Sequence, residues 1–206
     1  GDSRVGGIVG ASVRRFPGVG PATIENVSIS GTVDGESAGG VVGFNSDEGT
    51  VRDAEADATV TGSGSNGGLV GTNSGTITDV TASGSVDGTG DQTGGLVGSN
   101  LSPSGEITNA VATGDVNGAD STGGLVGANT PGGATEAKGV IENVSASGVV
   151  AGQNKTGGLV GTNKGVIRTA TATGDVTGTS RSGGLVGQNG GLFSGGEIQN
   201  AKATGT

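Results

Sequence analysis

One pentapeptide, Gly-Gly-apolar-Val-Gly, occurs seven times in the 206 residues, beginning at Gly6, Gly39, Gly67, Gly94, Gly123, Gly157 and Gly183. The steps between starts are 33, 28, 27, 29, 34 and 26 residues. Repetition at this period confines a chain to architectures in which one small unit is stacked on itself. Two residues after the last Gly of the pentapeptide stand Asn45, Asn73, Asn100, Asn129, Asn163 and Asn189, with Ser12 in the first copy.

A second block follows each pentapeptide. Its loose consensus, Ile-x-Asn-Ala-x-Ala-x-Gly-x-Val-x-Gly, is clearest over Ile107 to Gly118, Ile141 to Gly152 and Ile167 to Gly178. In the copy at Ile77, the apolar positions are Ile77, Val80, Ala82 and Val86. From Val80 they alternate, the period of a strand with one buried face. The odd step from Ile77 to Val80 predicts a bend. Asn26, Asp53, Asp79, Asn109, Asn143 and Asn200 occupy it, with Thr169 in the remaining copy. Turns rich in Gly, Asp, Asn, Ser and Thr separate three expected strands. These carry Gly-Gly-Leu-Val-Gly, then the Ile, then Ala-x-Ala-x-Gly-x-Val. Insertions fall in the turns: Asn73 to Ile77 takes four residues, Asn129 to Ile141 twelve.

These features predict an all-β parallel β-solenoid of about seven rungs, each of 26–34 residues with three short strands. One unit cannot hide its apolar stripe alone. Rungs stacked ~4.8 Å apart can, with Ala, Val, Leu and Ile in columns. A narrow interior of small side chains also accounts for 49 Gly and only 1% aromatic residues, which could not fill a conventional core. Crossover sense predicts a right-handed coil. The two Asn/Asp columns are expected to form side-chain ladders. A propeller needs larger, aromatic-rich blades, and a sandwich does not explain seven repeats. Residues 1–206 read as a single repeat domain that starts and stops inside repeat units, a piece of a longer chain or a mature form lacking its leader. Uncapped solenoid ends would recruit flanking repeats or other copies.

Composition narrows function. Net charge is −9, which disfavours nucleic acid and anionic membrane surfaces. No apolar run approaches the ~20 residues of a membrane span. There is no His and no Cys, which excludes Ser-His and Cys-His nucleophilic pairs and zinc sites of the usual kind. No catalytic residue, metal ligand or cofactor site is assigned. Asp115 and Asp175, at equivalent positions of their copies, read as solvated surface charge. The acidic turns at Asp34, Glu36, Asp87, Asp91 and Asp120 invite calcium. Their equivalents carry Lys155 or Arg181, however, and the calcium-roll nonapeptide is missing. The hydroxyl column Ser30, Ser83, Thr113, Ser147, Thr173 and Thr204 is broken by Asp57 and lacks the regular lattice of an ice-binding face. Gly-Leu-Val-Gly is followed by no helix, as a phosphate loop requires. Asn26, Asn100, Asn143 and Asn154 begin Asn-x-Ser/Thr sequons. Of these, Asn154 and Asn100 are the candidate glycosylation sites. Departures from the repeat, at Arg14, Arg15 and Phe16 and at Leu192 and Phe193, are the candidate interaction loops.

The segments Gly67 to Asn73 and Gly157 to Asn163 resemble the GLUG motif, and the resemblance extends over nearly the whole chain. It implies a large secreted or surface-anchored bacterial or archaeal protein. Adhesin-like proteins and the non-catalytic parts of some IgA-cleaving metallopeptidases are examples. The repeat carries no catalytic residues to transfer. The acidic composition, with four Lys, also resembles haloarchaeal proteins. The expected role is a structural or adhesive segment outside the cell, a rigid stalk or filament-forming unit. Its expected partners are other copies of itself, surface glycans or cell-surface proteins. A polysaccharide-binding module attached to a secreted enzyme is the alternative, ahead of a catalytic or ice-binding solenoid.

Overall fold

A computed structural model describes residues 3–13, 20–101, 104–130, 139–191 and 195–205. Among them there is no helix, and every strand pairing is parallel. The chain is a β-solenoid. All seven glycines that open the pentapeptide stack in one column, through the pairs Gly6–Gly39, Gly39–Gly67, Gly67–Gly94, Gly94–Gly123, Gly123–Gly157 and Gly157–Gly183.

Each rung has three faces. The first holds a short strand, Val70–Asn73 in the third rung, and its seven copies form a sheet of their own. The second holds Thr76–Ala82 and its equivalents. The third runs from Val86–Gly88 to Gln92–Gly94, which fuse into one strand at Val150–Gly157. Seven levels of the first face are joined by about six turns. The Val column of the third face has six members, Val33, Val60, Val86, Val116, Val150 and Val176.

Two boundaries differ from the sequence reading. A corner falls inside the pentapeptide, so that Gly67 ends one strand and Val70 starts the next. The Ile and the Ala-x-Ala segment share one strand. The first difference follows from the glycines, and in the second the left-handed Asp79 bends the strand without ending it. A Cβ on Gly68 would lie 2.2 Å from the Gly95 carbonyl oxygen, so only a residue without a side chain lets successive rungs approach here. Among the described glycines, only Gly31 and Gly190 take a positive φ. The glycines therefore serve close approach, and left-handed turning falls mainly to Asn and Asp.

The core is a set of axial columns. Leu69, Leu96, Leu125 and Leu159 are fully buried, and the Leu96 amide donates to the Leu125 carbonyl at 2.9 Å. Ile77, Ile107, Ile141 and Ile167 form a second fully buried column, in register from rung to rung. A third alternates in size: Val27, Ala54, Val80, Ala110, Val144, Ala170. Large and small side chains thus interdigitate along the axis, which fills a narrow interior without aromatic residues.

Candidate functional site

The polar residues lie in columns like the apolar ones, and two of these columns belong to Asn and Asp. The first closes the strand of the first face. Asn45 Nδ2 donates to Asn73 Oδ1 at 2.8 Å, and Asn73 to Asn100 at 2.8 Å. Asn100 donates to Asn129 at 3.0 Å, Asn129 to Asn163 at 2.9 Å, and Asn163 to Asn189 at 2.8 Å. Asn45, Asn73, Asn100, Asn129 and Asn163 are fully buried. The second amide hydrogen is used within the rung, as in Asn73 Nδ2 to Gly75 O at 2.9 Å and Asn100 Nδ2 to Gly105 O at 3.0 Å. Each amide therefore fixes a corner and ties it to the next rung. Every ladder bond points from donor to acceptor toward the C-terminal end.

Ser12 occupies the first position, in register with Asn45. Among the described residues its hydroxyl reaches no partner, and neither does Asn45 Oδ1. The shorter side chain ends the ladder.

The second column lines the bend of the second face. Asn26, Asp53, Asp79, Asn109, Asn143, Thr169 and Asn200 all have φ between 48° and 54°. This is the left-handed region, which Asn and Asp tolerate because their short polar side chains bond locally. Thr169 is the strained member, since a β-branched side chain clashes there. The column is exposed and its bonding is patchy. Asn109 Nδ2 donates to Asp79 Oδ1 at 3.0 Å, and Asn143 Nδ2 to Asn109 Oδ1 at 2.6 Å.

The bend makes a shallow groove along the axis. Its lower stretch is lined by Asn109, Val111, Asn143, Ser145, Thr171 and Lys202, its upper stretch by Asn26, Ser28, Asp53, Glu55, Asp79 and Thr81. The upper part is acidic, and Lys202 closes the lower part. A second groove lies between Asp91, Asp120, Lys155 and Lys164. There Lys155 Nζ meets Asp120 Oδ2 at 2.8 Å and Asn154 Nδ2 meets Asp120 Oδ1 at 2.5 Å.

A third polar column lies inside the third face, at the position just before the Gly-Gly pair. Asn66, Thr93, Thr122 and Thr156 are fully buried. A Cβ on Gly88 would lie 2.1 Å from Thr93 Oγ1 and one on Gly118 2.4 Å from Thr122 Oγ1. The Val-x-Gly glycines Gly88, Gly118, Gly152 and Gly178 thus make room for a hydroxyl, and Gly62 for the Asn66 amide. The alternation of this strand hides these residues, because the residues before them are variable turn residues.

The remaining candidates fall as follows. Asp115 is exposed, and its carboxylate accepts the Val149 amide at 2.9 Å. Asp34 accepts the Thr61 hydroxyl at 2.7 Å. Among the described residues no three carboxylates gather as a metal-binding group. Asn100 is buried in the ladder, so a glycan there would break its bonds to Asn129 and Gly105. Asn154 is engaged with Asp120, and Thr156 of its sequon is buried. Asn26 and Ser28, which make another sequon, are both exposed. Arg14, Arg15, Phe16, Leu192 and Phe193 lie outside the described residues.

Comparison with known families identifies three GLUG motif repeats, at residues 34–61, 89–117 and 178–206. Each spans about one turn of the coil, from the end of the third face through the first and second. No curated protein and no solved structure matches the chain.

Proposed function

We propose that this chain, which carries GLUG motif repeats, is a structural segment of an extracellular or cell-surface protein: a rigid rod that spaces or displays what it is joined to. The observation that carries this reading is the buried amide ladder from Asn45 to Asn189, which binds successive rungs by side chain as well as backbone. Such a coil resists bending and local opening, because from the second rung onward separating two adjacent rungs breaks a row of backbone bonds and an amide bond together. The sequence, with no His and no Cys, offers no Ser-His or Cys-His pair for catalysis. The test has two parts. Intact cells of the source organism should expose the segment to antibody and to added protease. Pulling along the chain should unfold it in steps of about one rung. Detection only inside the cell overturns the extracellular placement, and extension without resistance overturns the rod.

The groove beside Asn109, Asn143, Ser145, Thr171 and Lys202 favours a second reading, a polysaccharide-binding surface. Amides and hydroxyls recur there once per rung, at ~4.8 Å, close to the repeat of an extended sugar chain. Stacking platforms are lacking, since the sequence has no Trp or Tyr and three Phe. Binding on a glycan array, lost on Asn143→Ala and Lys202→Ala, would support this reading in place of a passive rod.

A further inference from the structure

The stack treats the four sequons of the chain differently. Asn100 is fully buried, and both hydrogens of its amide are used, on Asn129 Oδ1 and Gly105 O, so a sugar there would break the ladder. Asn154 gives its amide to Asp120, and the hydroxyl that completes its sequon, on Thr156, is fully buried. The other two, Asn26 and Asn143, stand in the bend column of the second face, which is exposed in all seven rungs.

Asn26 and Asn143 belong to identical pentapeptides, Ile-Glu-Asn-Val-Ser, at 24–28 and 141–145. Asn143 is the decisive one. Paired strands flank it on both sides, Glu106–Ala112 and Val166–Ala172, so its exposure is a property of the stack. Its strand turns Val144 into the core and leaves Asn143 and Ser145 on the outward side, with the two-residue spacing that a sequon requires. Among the described residues the Asn143 side chain makes one bond, from Nδ2 to Asn109 Oδ1 at 2.6 Å. A glycosylated amide keeps one hydrogen, enough to maintain that bond. Room for the sugar lies alongside. Asn143 lines the shallow groove of the bend, where Ser145, Thr171 and Lys202 offer polar partners. Val111, paired with Ser145 one rung earlier, is 38% exposed and gives the C–H face of a sugar ring an apolar seat.

We propose that Asn143 is an N-glycosylation site, an inference that rests on the extracellular placement proposed above. In the transfer, Asn143 Nδ2 attacks the anomeric carbon of an oligosaccharide carried on a polyprenyl pyrophosphate. The C–N bond forms as the C–O bond to phosphate breaks. The lipid pyrophosphate leaves with the electron pair, and one amide proton passes to a carboxylate of the transferase. The attached sugar then occupies the groove beside Lys202, which stands against the use of that groove for a free polysaccharide.

Tryptic digestion of the chain recovered from intact cells of the source organism yields residues 139–155, a peptide that holds both Asn143 and Asn154. Fragmentation that leaves the sugar attached should place a glycan mass on Asn143 and none on Asn154, and Asn100 should also be bare. Asn143→Gln and, separately, Ser145→Ala should each remove the whole of that mass. Ser145→Ala keeps Asn143 in place, so it separates transfer at the sequon from sugar attached by another route. The same cells are scored for surface exposure with antibody and added protease. Surface-exposed chain with a bare Asn143 overturns the proposal and leaves the extracellular placement intact. Chain found only inside the cell and bare at every sequon overturns both. A glycan on Asn100 or Asn154, or one on Asn143 that survives Ser145→Ala, also overturns the proposal.

Discussion

Asn73 and Asn100 are 27 residues apart in the chain, yet Asn73 Nδ2 donates to Asn100 Oδ1 at 2.8 Å with both side chains fully buried. Asn100 in turn donates to Asn129 and to Gly105 O. Replacing Asn100 by Ala strands a buried donor on Asn73 and a buried acceptor on Asn129. A loss of about 2–4 kcal/mol is expected, read from urea unfolding. Asn45→Ala should cost about half as much, because Asn45 Oδ1 has no partner to lose. Equal effects at the two sites would argue against a cooperative ladder.

The missing first step of the ladder yields a prediction of opposite sign. Ser12→Asn extends the side chain toward Asn45 Oδ1 at the position where five later rungs bond. A gain of about 1 kcal/mol in unfolding free energy is expected. No gain, or a loss, would show that the first rung does not adopt the geometry of the others.

Thr169 is the only β-branched residue among the seven left-handed residues at the bend of the second face. Thr169→Asn should stabilise the chain by about 1 kcal/mol by relieving that backbone strain. Asn109→Val should destabilise it by about 1–2 kcal/mol. Thermal unfolding checks both, and shifts in the same direction would contradict the assignment of the bend.

The glycines divide into those that touch and those that do not. A Cβ on Gly95 would stand 2.2 Å from the Gly124 carbonyl oxygen, whereas one on Gly20 meets nothing within 4 Å. Gly95→Ala must push two rungs apart and should cost about 3 kcal/mol. Gly20→Ala should stay within about 0.5 kcal/mol of the wild type.

The stack was legible in the sequence because a solenoid makes each structural column a sequence column. The Gly6 to Gly183 series, the Leu and Ile series and the alternation after Val80 all survive insertions that fall in the turns. The corner between Gly67 and Val70 was not legible, since a Gly-Gly pair reads equally as strand or bend until the neighbouring carbonyls are in place. Nor were the left-handed turns at Lys155 and Arg181, two residue types that carry no turn signal. The buried hydroxyls of Thr93, Thr122 and Thr156 escaped for a related reason. Their polarity and the variable turn residues before them mark them as surface, and only the facing Val-x-Gly glycines show that they point inward. The two Asn/Asp series look alike in sequence. One is buried and continuously bonded and the other exposed and patchy, a distinction set by which side of the strand each occupies.

In-register stacking of successive repeats is tested most directly by cysteine cross-linking, for which the chain offers a clean background with no native Cys. Thr81 and Val111 are paired neighbours on the outward side of adjacent rungs, and Ser145 follows Val111 one rung further on. Adjacent rungs place Cα atoms ~4.8 Å apart, inside the disulfide range, and alternate rungs ~9.6 Å apart, outside it. Mild oxidation should close an intramolecular disulfide in Thr81→Cys/Val111→Cys and leave Thr81→Cys/Ser145→Cys reduced. Equal closure of both pairs, or closure of the second alone, would contradict the stacked solenoid.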